Sequence, residues 1–166
     1  GEGRGFEISQ GRLGPGRIHH CMRMIGQGER CLAAMCERVK NRTVFGRKLS
    51  RFDNVMNDVA KMRAQIEMCR LLVYKAAVNM DHLGNKDPAT RQLLSMVKAH
   101  VPKTIGDIVD KCMQSHGAKG FCQDTPLWAA WSATRTLRMA DGPDEVHWRT
   151  AGRIELQMQE RNPLRK

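Results

Sequence analysis

Apolar residues recur through most of this chain at the three- and four-residue steps of an amphipathic helix. The clearest run is Val55, Val59, Met62, Ile66, Cys69, Val73, Ala76 and Met80, alternating steps of four and three. That heptad-like seam marks a helix laid against others in a bundle. Upstream, Ile18, Met22, Ile25, Leu32, Met35 and Val39 fit one face of a first helix over about 17–40. Downstream, Leu94, Val97, Val101, Ile105, Ile108 and Cys112 define a third. Pro102 predicts a kink or local break in it, and Gly117 is placed to terminate it. A shorter fourth helix follows Pro126 and runs to about Met139. The last starts in "DGPDE", where a proline followed by acids suits a first turn, and runs to about Arg161, before Pro163. Residues 1–16 are glycine-rich and aperiodic, with a short strand expected around Gly5–Ser9. The pattern predicts an all-α antiparallel bundle of about five helices over 17–161, with a linker before it and a tail over 162–166.

Composition narrows this picture. A chain of 166 residues, 41% hydrophobic and 27% charged, suits one domain that can bury a core without disulfides or metal. Aromatics are 5% and methionines number 11, so the core should be aliphatic and thioether-rich. The six cysteines form no Cys-x-x-Cys pair and mostly fall where a helix places apolar residues. They read as buried thiols of a reducing compartment rather than a disulfide framework. A net charge of +11 suits nucleic acid, anionic lipid or a phosphate-bearing ligand. No apolar run is long enough to span a bilayer. His19 and His20 are adjacent and point apart on a helix, and no Ser or Cys sits in a nucleophile elbow, so neither a metal site nor a covalent nucleophile is expected.

Three stretches carry candidate chemistry, each with a plain structural alternative. "NRTVFGRKL", residues 41–49, sets Arg42, Arg47 and Lys48 around Phe45. It is either a phosphate contact beside an apolar wall or a solvated interhelical loop. "QSHGAKGF", residues 114–121, turns through Gly117 and Gly120. It either lets backbone approach a ligand or simply caps a helix. In "RMADGPDEVHW", residues 138–148, Asp141 is a helix cap or a base facing a pocket. Periodicity does not choose among these.

Taken in order, "LGPGRI", "NRTVFG", "QSHGAKGF" and "ADGPDEVH" resemble the motifs of the acyl-CoA dehydrogenase C-terminal domain. The last is most similar to the subgroup of family members ten and eleven. The resemblance implies an FAD-dependent enzyme that oxidises acyl-CoA to trans-2-enoyl-CoA in fatty-acid β-oxidation. A carboxylate removes the α-proton while the β-hydrogen leaves as hydride to the flavin. Asp141 takes the place of the catalytic glutamate, and the backbone N–H of that acid helps hold the thioester oxygen. Arg42, Phe45 and Gln114 match contacts to the FAD of a neighbouring subunit. Gly117 and Gly120 match glycines beside it, and Pro143, Asp144 and Glu145 the flavin-contacting turn. Gly14, Pro15, Gly16 and Arg17 match the substrate side of the first helix, and Gly142 the glycine beside the thioester. A homo-oligomer, electron-transfer flavoprotein as electron acceptor, no nucleic acid and a mitochondrial location, with the peroxisome as alternative, go with the resemblance. Residues 1–16 become the tail of a missing β-domain plus linker, which leaves the activity of this piece alone open.

The chain departs from the family pattern at several positions. Asp141 is one methylene shorter than glutamate, up to about 1.5 Å of lost reach. Ala118 stands for a glycine, Ala140 for a tyrosine, Pro143 and Asp144 for Thr and Ser, and His147 for a glutamine. The fourth helix has Ser132 and Ala133 where an Arg-Asp pair is usual. Two other readings compete with the enzyme: a non-catalytic helical dimerisation domain, and a basic bundle bound to nucleic-acid phosphates, which rests on charge alone.

Overall fold

A computed structural model of the chain describes residues 1–161, so the expected tail over 162–166 and the stop at Pro163 lie outside the described residues. In order come α1 (Gly5–Asn41), β1 (Thr43–Val44), β2 (Arg47–Lys48), a 3-10 turn (Leu49–Arg51), α2 (Asp53–Leu83), α3 (Pro88–His116), α4 (Ala118–Phe121), α5 (Leu127–Leu137) and α6 (Asp144–Glu160). The bundle forms around α3, which packs against α1, α2, α5 and α6. Leu94, Val97, Val101, Ile105, Ile108 and Cys112 of α3 are all buried. The α2 seam buries Met62, Ile66, Cys69, Val73 and Ala76, while Val55, Val59 and Met80 lie at its partly covered edges. From α1 come Cys21, Met24, Ile25, Leu32, Met35 and Val39. Met22 points out instead, because the buried stripe of α1 runs through Cys21 and Met24 on either side of it. Gly28 lets α1 and α3 approach closely, since a Cβ there would lie 2.9 Å from Ile105 Cδ1. All six cysteines are free, with Cys36 and Cys122 half-buried and the rest buried.

Three further expectations change. The strand at Gly5–Ser9 and the aperiodic linker are helical: α1 begins at Gly5 and runs through Pro15. Proline at 15 removes the N–H that would bond the Gly11 carbonyl. Asn85 Nδ2 supplies that bond from the α2–α3 loop at 3.2 Å. Gly14 makes room for it, since a side chain there would collide with the Asn85 amide. Tertiary contact thus overrides poor helix propensity. Pro102 causes no break, because α3 is continuous through it. The α1–α2 connection is a two-stranded hairpin rather than a plain turn, pairing Thr43 with Lys48 and Val44 with Arg47. With the one-turn α4 the described residues hold six helices, and α5 ends at Leu137, slightly before the expected Met139.

Candidate active site

The segment from Arg138 to Pro143 joins α5 to α6 through a backbone that few residues adopt. Asp141 has φ 57° and Gly142 φ 103°. Aspartate tolerates the left-handed region better than most side chains, yet the conformation still has to be held. Lys98 of α3 holds it from inside the core. Its fully buried side chain donates from Nζ to the Leu137 carbonyl at 2.5 Å and the Gly142 carbonyl at 3.3 Å, gripping both ends of the loop. Burial pushes the Lys98 ammonium below the usual lysine range, opposed by Cys21, Asp144 and Asp141. The Asp141 carbonyl accepts from Arg17 Nε at 3.3 Å and from His147 Nε2 at 3.1 Å. A carbonyl only accepts, so Nε2 of His147 carries its proton. His147 is buried, and desolvation lowers its pKa, which keeps the ring neutral. Only glycine fits at 142: a Cβ there would lie 2.8 Å from His147 Nε2.

The Asp141 side chain does not cap α6. Pro143 stands at the cap position, and among the described residues no side chain caps the helix end there. Instead Asp141 Oδ2 lies 3.3 Å from His20 Nε2 of α1, with the two side chains 23% and 27% exposed. Gly16 faces the same carboxylate, since a Cβ there would come within 3.9 Å of Oδ2. Burial lowers the His20 pKa, outweighing the attraction of Asp141. A groove of about 830 Å³ opens beside the loop, with Arg17 and His147 among its walls, together with Phe6, Asn85, Leu94 and Val146. Asp144, expected to face a flavin, is turned inward: Oδ2 receives Arg138 Nε at 2.6 Å, while Oδ1 is buried without a hydrogen-bond partner among the described residues. Pro143 and Glu145 are exposed.

The remaining candidates sit at the far end of α1. Twenty-five residues separate Arg17 from Arg42, roughly 37 Å at the helical rise. Phe45 and Gly46 form the hairpin tip with φ 48° and 76°, as a tight primed turn requires. Phe45 is 96% exposed, and Arg42 is exposed beside it. Arg38 ties the end of α3 to this end of α1, its guanidinium donating to the Ser115 carbonyl at 3.5 Å and the His116 carbonyl at 3.4 Å. Gln114 and Gly117 are exposed there, and Gly117 ends α3 with φ 65°. Gly120 is buried instead, and a side chain on it would collide with the Met113 carbonyl, so it packs α4 onto α3.

The structure therefore brings Asp141, Gly142, Gly16 and Arg17 together, and gathers Arg42, Phe45, Gln114 and Gly117 elsewhere. Gly14 turns to Asn85, and Pro15 is exposed beside it. Two residues were missed from sequence. Lys98 sits on the apolar stripe of α3 between Leu94 and Val101, where a lone charge signals a buried purpose. His20 lies one turn beyond Arg17 on the same helix face.

Known proteins agree with this organisation. Residues 3–156 match the family model for the acyl-CoA dehydrogenase C-terminal domain. The chain is 52% identical over 161 residues to acyl-CoA dehydrogenase family member 11 of Rattus norvegicus, covering 97% of this chain and 20% of that protein. It is 50% identical over 161 residues to family member 10 of Mus musculus, covering 97% and 15%. The solved butyryl-CoA dehydrogenase of Megasphaera elsdenii superposes with a TM-score of 0.83 at 28% identity, covering 94% of this chain and 40% of that one. The chain thus spans about a fifth or less of the two curated relatives. Motif order, helical architecture and the built acid loop converge on one assignment: the chain belongs to the acyl-CoA dehydrogenase family and forms its C-terminal helical domain.

Proposed function

We propose that this domain supplies the base and part of the cofactor site of an FAD-dependent dehydrogenase that converts acyl-CoA to trans-2-enoyl-CoA in fatty-acid β-oxidation. The observation that carries this is the Asp141 loop. Arg17 and His147 hold its carbonyl and also line a groove of about 830 Å³, Lys98 holds the next carbonyl, and the carboxylate stays partly exposed. Such preorganisation is expected of a group that must meet a proton at a fixed place. Asp141 takes the α-proton of the thioester, and exclusion of water by the acyl chain raises its basicity. Its backbone N–H serves the thioester oxygen, where enolate charge develops.

The residues present fit FAD. Arg42 offers an exposed guanidinium and Phe45 a bare aromatic face. When bound, FAD supplies the acceptor for the β-hydrogen as hydride. Arg42, Phe45 and Gln114 lie at the far end of α1, too far away to meet the flavin that faces Asp141 of the same chain. They serve the FAD of a second subunit, so the working enzyme is a homo-oligomer. Electron-transfer flavoprotein is its electron acceptor in this reading.

Asp141→Asn in the full-length protein tests the proposal. Asparagine also tolerates positive φ and can still accept a hydrogen bond, but it cannot take the proton. Bleaching of the flavin by acyl-CoA should fall by at least roughly 10²–10⁴-fold, the usual share of general-base catalysis. Melting temperature and FAD content should hold. Near-normal bleaching would place the base elsewhere.

A further inference from the structure

The Asp141 carboxylate has one side-chain neighbour that the family comparison does not supply, and its protonation can be read from its other contact. His20 is reached from both ends: Arg23 Nη2 lies 3.1 Å from Nδ1, and Asp141 Oδ2 lies 3.3 Å from Nε2. A guanidinium has donors only, so Nδ1 must accept. In a neutral imidazole that leaves the proton on Nε2, the nitrogen 3.3 Å from the carboxylate. The imidazolium is the poorer alternative, since it would set an N–H against the Arg23 N–H. We propose that His20, fixed in its Nε2–H tautomer by Arg23, is a positioning residue for the Asp141 base: its ring stands against Oδ2 and leaves Oδ1 to take the α-proton. This rests on Asp141 being the base.

The groups facing His20 agree on the neutral form. Asp141 from the α5–α6 loop is the one that favours protonation, and Arg23, His19 and, from α3, Lys98 oppose it. Desolvation of the ring acts with the second group and outweighs the carboxylate. Arg17 and His147 hold the main chain of Asp141 but not its side chain, so its carboxylate needs a separate holder. A one-methylene-shorter base has less reach to correct a wrong rotamer. In acid, protonation of His20 must displace Arg23.

Two measurements test this. Long-range 1H–15N spectra of the chain with labelled histidine should show His20 protonated at Nε2 and bare at Nδ1 at neutral pH. Arg23→Met should shift it toward a tautomer mixture. In the full-length enzyme, His20→Ala should slow flavin reduction by roughly 10-fold to 10²-fold, the scale of a misplaced catalytic group. His20→Gln keeps an N–H donor near the Nε2 position and cannot titrate. It should restore most of the rate and remove the His20 share of the acid limb of the pH profile. An Nδ1–H tautomer, or a wild-type rate in His20→Ala, overturns the proposal. Asp141→Asn is run in parallel: if it is inactive while His20→Ala is normal, only the His20 role fails. If Asp141→Asn reduces flavin normally, the base assignment fails and takes this role with it, whatever the tautomer.

Discussion

At one end of α1 the Asp141 loop is closed by its own chain. At the other, the Phe45 hairpin is presented bare. Both put a non-glycine residue at positive φ, 57° at Asp141 and 48° at Phe45, each followed by a positive-φ glycine. The supports differ. Around Asp141, side chains from α1, α3 and α6 converge: Arg17, Lys98 and His147. Around Phe45 there is a two-pair backbone ladder and a ring 96% exposed. The first arrangement fixes an atom in place without outside help. The second fixes a backbone and leaves its side chains uncovered. Similar strain in two turns therefore means different things, and what surrounds each turn tells them apart.

The largest effect should come from the closed end. Lys98→Met keeps the length of the side chain but leaves the Leu137 and Gly142 carbonyls without their donor. Each unsatisfied buried polar group costs about 1–3 kcal/mol, and relief of a buried charge returns part of that. A net loss of about 2–4 kcal/mol in urea unfolding is expected, with faster amide exchange over 138–143. An unchanged unfolding midpoint would mean that the loop holds itself and that the two ends are not built differently.

The long helices were legible in the sequence because one period governs them: the α3 stripe and the α2 seam from Met62 to Ala76 are buried as spaced. The N-terminal turns of α1 were not. Gly11, Gly14 and Pro15 argue locally against a helix, and what decides the matter is Asn85, 74 residues away from its partner Gly11. Asp141 and Arg17 could be picked from motifs, and the structure brings them together. Their supporting residues could not, since a buried lysine and a histidine gain their roles only from what α1, α3 and the α5–α6 loop place around them. Gly120 and Asp144 carry contacts that the motifs did not announce: one packs against Met113 and the other pairs with Arg138.

A sharper comparison uses the two turn glycines. Gly142→Ala meets both a φ of 103° and the His147 ring 2.8 Å from the new Cβ. Gly46→Ala meets a φ of 76° with nothing within 4 Å. Left-handed backbone costs roughly 1–2 kcal/mol for an alanine, so Gly46→Ala should lose about that much. Gly142→Ala should lose more, because His147 must also leave the Asp141 carbonyl. Equal losses would show that the neighbours of the acid loop do not matter to its stability.

The pH dependence should also belong to the closed end. The folded pKa of His147 is lowered from its ordinary 6.5 by burial. Between the folded value and 6.5 the unfolded chain therefore binds more protons than the folded one. Stability must fall as pH drops through that window, and level off below the folded pKa. Melting temperature should decline from neutral pH into mild acid, and His147→Gln, which keeps an N–H donor, should flatten part of the decline. No flattening would mean that the His147 ring charges without leaving its place.

The smallest effect on the fold should come from the bare hairpin, and there the smallness is the informative result. Phe45→Ala removes a ring that is 96% exposed, and Arg42→Ala leaves both backbone bonds of that residue in place, the N–H to the Arg38 carbonyl and the carbonyl from the Leu49 N–H. Exposed substitutions of this kind usually stay within about 0.5 kcal/mol, so melting temperature of the chain should barely move. If the hairpin meets the cofactor of a neighbouring subunit, as proposed, the same two changes in the full-length protein should weaken FAD retention, read as flavin absorbance per subunit after gel filtration. Subunit assembly, measured on the same column, should persist. Loss of flavin with an intact fold would confirm that this end is finished by another chain. A marked fall in melting temperature would instead make Phe45 a structural residue, and unchanged flavin content would remove the hairpin from the cofactor site.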